Sequence, residues 1–435
     1  TYTLTISGIG EMKDYGYDDS SRPWYNQRKS ITKIEFDNQV TSVGAWAFHG
    51  CTNAIEISLS DSIEKIGASA FQGLSKLTGE FHIGPKVKVL GQDAFYATSI
   101  SKYTIDESNT SYVVKDDILY SADGKTIISC PQGKSGEFQL SWLDGVETIA
   151  DSAFRNCKKL VGPVVIPDSV TSIGALAFQA CQGLTGDLVI PDSVVGDIEE
   201  WTFGNCGFDG SLQIGSGVCS IGNNAFQNCK FTKLDLGNVT TIGDAAFSGC
   251  SAVEALTIPD GVKSIGKEAF KNCSSMTGEL VVPDSVTGEI GEGTFYGCKF
   301  TSIKIGNGIT AIGQEAFYNN KASESTSLVL GNNITTIKQS AFSGASIGGN
   351  LVIPDSVTEI QKWAFYNCQN LTGDLTLSKN LISLGEQAFF NCKFTGPIII
   401  PDGITSIPMS TFYEANTVCF VVPGSVTEFG NYSLD

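Results

Sequence analysis

Thirteen cysteines, two histidines and a set of recurring aspartates are the residues of this 435-residue chain that could carry chemistry. Cysteine and histidine bind zinc or act as nucleophile and base, while carboxylates bind calcium or hydrolyse glycosides. Only His49 and His82 could serve as an imidazole base, and no Cys-x-x-Cys pair is present. We therefore predict no catalytic residue, no metal ligand and no cofactor.

The cysteines follow a fixed spacing, because ten of the thirteen come three residues after a phenylalanine. The equivalent position elsewhere holds Leu74, Thr98, Asn320, Ala345 or Ala415. A position that accepts these types is typical of a small interior slot, which predicts a buried ladder of thiols. Disulfides and a metal site are the alternatives, although parallel stacked side chains do not converge as a disulfide requires. The structural ladder is represented by Phe178, Cys181, Phe270 and Cys273.

An aspartate recurs after proline in the segment Pro-Asp-Ser or Pro-Asp-Gly, as at Asp192 and Asp284. A calcium site needs six or more oxygen ligands, and one carboxylate per repeat supplies too few. Aspartate also forms turns through bonds from its side chain to the backbone. We expect these aspartates to form turns.

The elements that position these residues are repeats, each centred on one phenylalanine. Thirteen of the fourteen gaps between successive anchors are 21 to 25 residues, and the gap from Phe95 to Phe154 is 59. A period near 23 over most of a chain indicates a solenoid. The anchors are Phe48, Phe71, Phe95, Phe154, Phe178, Phe203, Phe226, Phe247, Phe270, Phe295, Phe317, Phe342, Phe365, Phe389 and Phe412.

Each repeat contains two apolar residues that flank one variable residue, as in Leu280-Val281-Val282. This alternation predicts a short strand with one face inward, and stacked repeats would place such strands in a parallel sheet. Proline or glycine ends the strand. We expect a short helical turn around Ala177-Phe178 to complete each coil.

The predicted domain organisation is an N-terminal capping segment, residues 1–37, followed by a repeat solenoid, residues 38–435, of about 16 units. The long gap predicts a β-hairpin insertion at about residues 106–136, projecting from the solenoid. Its first strand is expected at residues 113–120 and its second at residues 126–130, joined by a turn at Ser121-Ala-Asp-Gly124. Trp24 and Tyr25 would cover the open end of the core; the alternative is an aromatic platform for a sugar. Thr1 looks like the start of a mature or trimmed chain, and we expect the natural protein to continue beyond residue 435.

The composition narrows the classes of partner. The net charge of −18 opposes binding to nucleic acid and to anionic membranes. No apolar run of 18 residues occurs, so we expect no membrane insertion. A hydrophobic content of 41% is ample for a continuous core.

The strand pattern LxxLxLP followed by VxxIGxxAFxxC, over roughly residues 34 to 430, resembles the BspA-like class of bacterial leucine-rich repeats. The resemblance implies export, display on the cell surface, and adhesion to host proteins or to other cells. Such repeats also occur in eukaryotic parasites. The fold class we predict is α/β: a right-handed leucine-rich-repeat solenoid with a parallel sheet on one side, short helical turns opposite, and one inserted hairpin.

The middle residue of each strand is expected to face the concave surface, where a ligand could bind. Valine and isoleucine at this position indicate a partner site when they form a contiguous patch. Two alternatives are that β-branched residues simply suit strands, and that a second layer covers them. The candidate ligand-binding residues are Val165, Val189, Asp235, Val281, Lys304, Val329, Val352 and Ile399.

We therefore predict a non-enzymatic, monomeric binding module, extracellular or on the cell surface. Its expected partner is an extracellular protein or other cell-surface ligand, and binding to this partner would mediate adhesion. Alternatives are a structural spacer within a larger surface protein and a module that binds glycan through Trp24, Tyr25 or the hairpin.

Overall fold

The structure is a computed structural model and describes residues 2–435. The chain divides into two compact units: the first extends to Gly186 and includes Ser193–Phe208, and the second comprises Asp187–Asp192 and Asp209–Asp435. Within each unit, short strands from successive repeats lie side by side in parallel, so each unit is a parallel-strand solenoid of many turns.

The first unit contains two rows of repeat strands and one further parallel pair. The first row comprises Tyr2–Ile6, Ile31–Phe36, Glu56–Ser58, Thr78–Ile83 and Ser99–Ile105. The second row comprises Ser42–Val43, Lys65–Ile66, Val89–Leu90, Thr148–Ile149, Ser172–Ile173 and Gly196–Ile198. The further pair is Gly136–Glu137 with Leu160–Val161.

The second unit continues the same pattern with shorter strands. Its first row comprises Leu188–Ile190, Ser211–Ile214, Lys233–Asp235, Glu279–Val282, Ser302–Ile305, Ser327–Val329, Leu351–Val352, Leu375–Thr376, Ile398–Ile399 and Phe420–Val421. Its second row comprises Val218–Ile221, Thr241–Ile242, Ser264–Ile265, Gly288–Ile290, Ile309–Ile312, Thr336–Ile337, Glu359–Ile360, Ser383–Leu384, Ser406–Ile407 and Glu428–Phe429.

The predicted α/β class is wrong, because residues 2–435 contain almost no helix. The helices are two short 3₁₀ segments, Tyr25–Ser30 and Leu140–Leu143. The segment around Ala177-Phe178 is a turn instead of a helix. In each of the fifteen repeats the residues two before and two after the phenylalanine have positive φ. A left-handed residue cannot continue a right-handed helix, so each segment turns twice within five residues.

The insertion also differs from the predicted projecting hairpin. The segment expected as one strand forms two, Tyr112–Lys115 and Ile118–Ser121, which pair in antiparallel fashion. The third strand, Thr126–Ser129, pairs antiparallel with the second and parallel with Thr148–Ile149. The insertion is therefore a three-stranded meander whose last strand belongs to the second strand row.

The phenylalanines stack face to face inside each unit. In the first unit Phe154 and Phe178 lie 5.0 Å apart between ring centroids, at an interplanar angle of 5°. In the second unit Phe270 stacks on Phe295 at 5.6 Å and 2°. Phe178 and Phe270 are fully buried. Because burial of each ring removes a large apolar area from water, the stack supplies much of the core stability.

Hydrogen bonds between repeats run in one direction along the turns. The N–H of Phe270 donates to the carbonyl oxygen of Thr294 at 2.9 Å. Two residues later, the N–H of Asn272 donates to Tyr296 at 2.7 Å. The left-handed residues place alternate N–H groups on the side of the next repeat, so each turn is bonded to the turn that follows it.

The cysteine slot has a hydrogen-bonding role besides its size. The thiol of Cys181 donates to the carbonyl oxygen of Phe154 at 3.0 Å, and that of Cys273 to Phe247 at 3.2 Å. Eleven of the thirteen cysteines are buried, and the two exposed ones are Cys219 and Cys419. Cysteine therefore fits this slot as a small apolar residue that satisfies a carbonyl of the preceding repeat.

The glycine of the Ile-Gly step is required by the close approach of successive repeats. A Cβ atom on Gly67 would lie 2.4 Å from the backbone nitrogen of Ala45. A Cβ atom on Gly266 would lie 2.5 Å from the nitrogen of Asp244. Backbone atoms at these distances cannot move aside without opening the stack.

Substitution of Gly266 by alanine should lower the free energy of unfolding by about 2 kcal/mol or more, because the added methyl group overlaps a neighbouring backbone. Gly261→Ala in the same repeat is the matched control, since its Cβ would meet nothing nearer than the Val239 oxygen at 3.9 Å. We expect the control to change stability by less than about 0.5 kcal/mol. Urea unfolding of both variants measures the difference, and equal effects would contradict the close-approach argument.

Native protein treated with a thiol reagent at pH 8 should show two reactive cysteines, Cys219 and Cys419, and eleven that react only after denaturant is added. Burial raises the pKa of Cys51 and of Cys368 to about 12. At pH 8 a thiol with that pKa is about 0.01% thiolate, the reactive form. A Cys219→Ser, Cys419→Ser variant should lose the fast phase, and fast labelling of further cysteines would contradict their burial.

Candidate functional site

The strand face of the second unit carries most of the predicted ligand-binding residues. In Glu279–Val282 the side chains of Leu280 and Val282 point into the core, with 0% and 1% exposure, whereas Val281 is 45% exposed. The strand period of two forces this separation. Parallel register places Val281 beside Lys304, and Lys304 beside Val329.

Five aliphatic side chains on this face are exposed, and we name them the apolar strip. Their exposed fractions run from 45% to 60%. Register pairs Val352 with Thr376, and Ile399 with Val421. The apolar strip comprises Val281, Val329, Val352, Ile399 and Val421.

Val189 and Val165 are also exposed, but their settings differ. Val189 is 44% exposed and lies in register with Gln213, which in turn lies beside Asp235. Val165 belongs to the first unit and is 55% exposed, yet it lies outside the assigned strands. Lys304 and Thr376 are polar neighbours within the apolar strip as well, so Val189 and Val165 are set apart from it by their place along the chain.

The two charged candidates have partners within the protein. Lys304 forms an ion pair with Glu279 at 2.5 Å, and this contact lowers the pKa of the Glu279 carboxyl group. Asp235 accepts a hydrogen bond from the N–H of Gly237 at 3.1 Å. Both side chains are exposed, so they can still contact a partner at the margin of the apolar residues.

An open pocket of about 480 Å³ lies on the same face. It is lined in part by Val281 and Lys304, with Asp260 and Asp284 at its side. The Asp284 carboxylate accepts a hydrogen bond from the N–H of Asn307 in the next repeat at 2.6 Å. The pocket thus combines an apolar floor with one cation and two carboxylates.

Three of the recurring aspartates, Asp192, Asp284 and Asp355, bond to the following repeat instead of closing their own turn. Asp192 accepts hydrogen bonds from the N–H and the hydroxyl group of Ser216, at 2.6 and 2.9 Å. These two bonds lower the pKa of the Asp192 carboxyl group. Among residues 2–435 no group of three or more His, Cys, Asp or Glu side chains is placed to bind a metal ion. The carboxylates here act as acceptors for backbone amides.

Trp24 and Tyr25 have different positions, although the sequence predicted the same role for both. The Trp24 ring stacks on Phe48 at 5.4 Å and 17°, and its Nε1–H donates to the carbonyl oxygen of Ala47 at 3.0 Å. The edge of Tyr15 contacts its ring at 5.8 Å. Tyr25 instead lies under Arg28, whose guanidinium carbon is 3.8 Å from the ring centroid.

Two further groups satisfy carbonyls of the Phe48 turn, and neither was identified from the sequence. The backbone N–H of Tyr15 donates to Ala45 at 2.9 Å, and the Arg22 guanidinium donates to His49 at 3.1 Å. In later repeats the equivalent carbonyl oxygens accept hydrogen bonds from N–H groups of the preceding turn, as Ala68 does from Trp46. Arg22, in the polar segment 14–22 before Trp24, was the residue that could have indicated these contacts. It is buried, and a buried arginine must find acceptors.

The histidines and thiols are poorly placed for catalysis. Burial, assisted by the nearby positive charge of Arg22, lowers the pKa of His49. His82 bonds through Nδ1 with the hydroxyl group of Thr104 at 3.1 Å. Burial raises the pKa of thiols such as Cys250, which disfavours the nucleophilic thiolate.

A pocket of about 260 Å³ in the first unit is lined by Asp93, Asp151 and Arg155. Arg155 donates to Asp93 at 2.5 Å and to Gln179 at 2.8 Å, and its guanidinium carbon lies 4.2 Å above the Tyr96 ring. Asp151 accepts from the backbone N–H of Ala175. No histidine is among the residues that line this pocket. Its charges hold the repeats together, and no nucleophile lies beside a base.

A second row of aromatic residues follows the phenylalanines and was also missed. Tyr296 stacks on Tyr318 at 4.9 Å, and Tyr366 stacks on Phe390 at 4.8 Å. The signal was a tyrosine or phenylalanine directly after the anchor phenylalanine in several repeats of the second unit. No helix among residues 2–435 has the length and apolarity to cross a membrane.

The sequence matches the model of the BspA type leucine rich repeat region over residues 23–121, 137–254, 183–287, 240–372 and 370–435. No curated protein matches it. The crystal structure of a leucine-rich repeat protein from Bacteroides ovatus is similar, with 20% identity over 73% of this chain and 88% of that chain, and a TM-score of 0.53. This similarity shows the leucine-rich repeat fold.

Two further crystal structures are similar at lower TM-scores. A leucine-rich repeat protein from Eubacterium ventriosum is 20% identical over 79% of this chain and 91% of that chain, with a TM-score of 0.46. A leucine rich cell surface protein from Faecalibacterium prausnitzii is 24% identical over 63% and 60% of the two chains, with a TM-score of 0.36. The family prediction made from the repeat motif is confirmed by the match of that family's model to most of the sequence: the chain belongs to the BspA-type leucine-rich repeat proteins.

Proposed function

We propose that this protein is a non-enzymatic binding module, exposed at the cell surface or secreted, that captures a protein partner on the strand face of its second unit. The observation that carries the proposal is the apolar strip. Its five aliphatic side chains are half exposed, although the residues on either side of them in each strand are mostly buried. Exposed apolar residues that recur on one face are typical of a partner site.

The polar surroundings of the strip suit a protein partner. Lys304 and the carboxylates Asp260 and Asp284 lie beside Val281, which gives an apolar centre with a charged margin. Protein interfaces commonly combine a desolvated apolar core with a polar rim. The net charge of −18 would also accelerate association with a basic partner.

The strand face of the first unit has a different character. His82 and Thr104 bond to each other, and Glu80 accepts from Thr104 at 2.8 Å while pairing with Lys102 at 2.7 Å. These polar groups satisfy one another, so desolvating them would cost more than it returns. We therefore assign capture to the second unit and adhesion to a host protein or another cell as its biological role.

The contacts of the histidines and the burial of the thiols disfavour catalysis. The one hydroxyl group bonded to His82, that of Thr104, donates its proton to the Glu80 carboxylate instead of to the imidazole. Burial raises the pKa of the interior thiols. The alternative of a glycan-binding module rests on Trp24, Tyr25 or the inserted strands, whereas the alternative of a spacer concerns the whole array. Trp24 is covered by Phe48 and Tyr15 on two sides, which leaves little ring surface for a sugar.

A Val281→Lys, Val329→Lys, Val352→Lys variant should weaken capture of the partner at least about 30-fold, because three ammonium groups would replace the apolar centre of the interface. The probe is a panel of extracellular-matrix proteins and mucins, with dissociation constants measured by surface plasmon resonance. The matched control is Ser58→Lys, His82→Lys, Gln213→Lys, which adds the same charge at exposed strand positions. Equal loss in both variants, or unchanged capture by the first, would contradict the strip as the site.

Substitution of Trp24 by alanine should lower the free energy of unfolding of the first unit by about 2–3 kcal/mol, since the ring covers Phe48 and its indole N–H satisfies Ala47. Tyr25→Ala should cost less than about 1 kcal/mol, because that ring lies against Arg28 instead of stacking on a core phenylalanine. Urea unfolding compares the two, with a glycan array measured in parallel. Loss of glycan binding without loss of stability in the Trp24 variant would favour the sugar platform.

A further inference from the structure

The aromatic row of the second unit has one missing member. The residue after each anchor phenylalanine is aromatic at Tyr296, Tyr318, Tyr366, Phe390 and Tyr413, and successive rings stack at 4.8–5.2 Å with interplanar angles of 13–16°. The repeat between Tyr318 and Tyr366 carries a serine at this position. A row of stacked rings is therefore interrupted by a gap of one ring.

The whole turn at this gap is small. Ser343-Gly344-Ala345-Ser346 stands where the neighbouring turns have Tyr-Asn-Asn-Lys and Tyr-Asn-Cys-Gln. Two steps of roughly 5 Å between adjacent repeats leave about 10 Å between the facing rings. The space is an open pocket of about 530 Å³ lined by both tyrosines, with the small turn between them.

The two rings present flat faces to this space. Tyr318 stacks on Tyr296 and Tyr366 stacks on Phe390, both in nearly parallel pairs. In each tyrosine, the face that stacks is therefore the one turned away from Ser343. The opposite faces are directed toward the gap. A planar or chair-shaped ring between them would lie about 5 Å from each tyrosine centroid, which is the spacing that stacked rings keep elsewhere in the row.

The polar groups around the gap are mostly uncharged amides and hydroxyl groups. Asn319, Asn367, Gln369 and Asn370 line the pocket, and Lys321 is the single charged residue that does. Gln369 and Asn370 are exposed, so their amides are accessible. Amide side chains both donate and accept hydrogen bonds, and so do sugar hydroxyl groups.

We propose that the gap between Tyr318 and Tyr366 binds one pyranose ring of a neutral glycan, sandwiched between the two tyrosines. The C–H groups of the sugar carry partial positive charge and face the negative ring faces, while its hydroxyl groups bond the surrounding amides. An aromatic side chain of a peptide would fill the same gap, but it would leave the exposed Gln369 amide unpaired on desolvation. This site is separate from the apolar strip and does not depend on the proposed function.

The direct test fills the gap. Ser343→Tyr should complete the aromatic row and abolish binding to an array of neutral oligosaccharides, while thermal unfolding shows the fold intact. Ser248→Tyr is the matched control, because it adds a tyrosine at the same position of another repeat, between Gln227 and Lys271. The control should bind as the native protein does. No binding by the native protein, or equal binding by the Ser343 variant, would overturn the proposal.

A second set of variants separates the sugar from the peptide alternative. Tyr318→Ala and Tyr366→Ala should each weaken binding of the oligosaccharide selected on the array about tenfold or more, measured by isothermal titration calorimetry. Tyr413→Ala, in the same row but away from the gap, should bind normally. Tyrosine-containing and phenylalanine-containing peptides should not compete. Competition by these peptides, with no oligosaccharide bound, would replace the sugar assignment by a peptide site.

Discussion

The close backbone contact between successive turns is the constraint on which the structure depends. Each turn offers alternate N–H groups to the carbonyls of the next, and this needs left-handed residues on both sides of the phenylalanine. It also needs glycine where the backbones nearly touch, as at Gly266. The phenylalanine stack follows from that spacing, since successive repeats hold equivalent rings about 5 Å apart in the same orientation. At the Phe48 turn, Trp24 and Arg22 satisfy carbonyls that a preceding turn satisfies elsewhere.

Much of this could be predicted from the sequence, because the repeated residues are also the ones that build the interior. The period located the phenylalanine and cysteine ladders, and strand alternation separated Val281 from its buried neighbours. The helical turn was wrong because residues two before the phenylalanine, such as Leu176 and Glu268, have no type that favours positive φ. Their conformation is imposed by hydrogen bonds to the next repeat. The asparagines and glycines two residues after the phenylalanine were a signal for it, since these types accept the left-handed region.

The candidate site was predictable only in part, because some of its contacts depend on how one repeat lies against the next. Exposure of the middle strand residue follows from a period of two, but the ion pair of Lys304 with Glu279 depends on register between two strands of different repeats. The meander was misjudged because Asp116 and Asp117 both adopt positive φ and reverse the chain inside the expected first strand. The right-handed sense of the coil and the domain boundary at residue 37 stay predictions. The gap at Ser343 is the absence of an aromatic residue that neighbouring repeats have, so no sequence motif marks it.

The apolar strip and the aromatic row can evolve separately, because neither belongs to the buried phenylalanine and cysteine ladders of the interior. Val281 points away from Leu280 and Val282, and Tyr318 lies one residue beyond a buried phenylalanine, so either can change without altering the interior. Stability in a repeat array is close to a sum over repeats and their neighbours. A substitution outside the interior therefore has a small and local energetic effect. An array of this kind can carry an apolar strip on its strand face and a tyrosine gap on its turns, each selected for its own ligand.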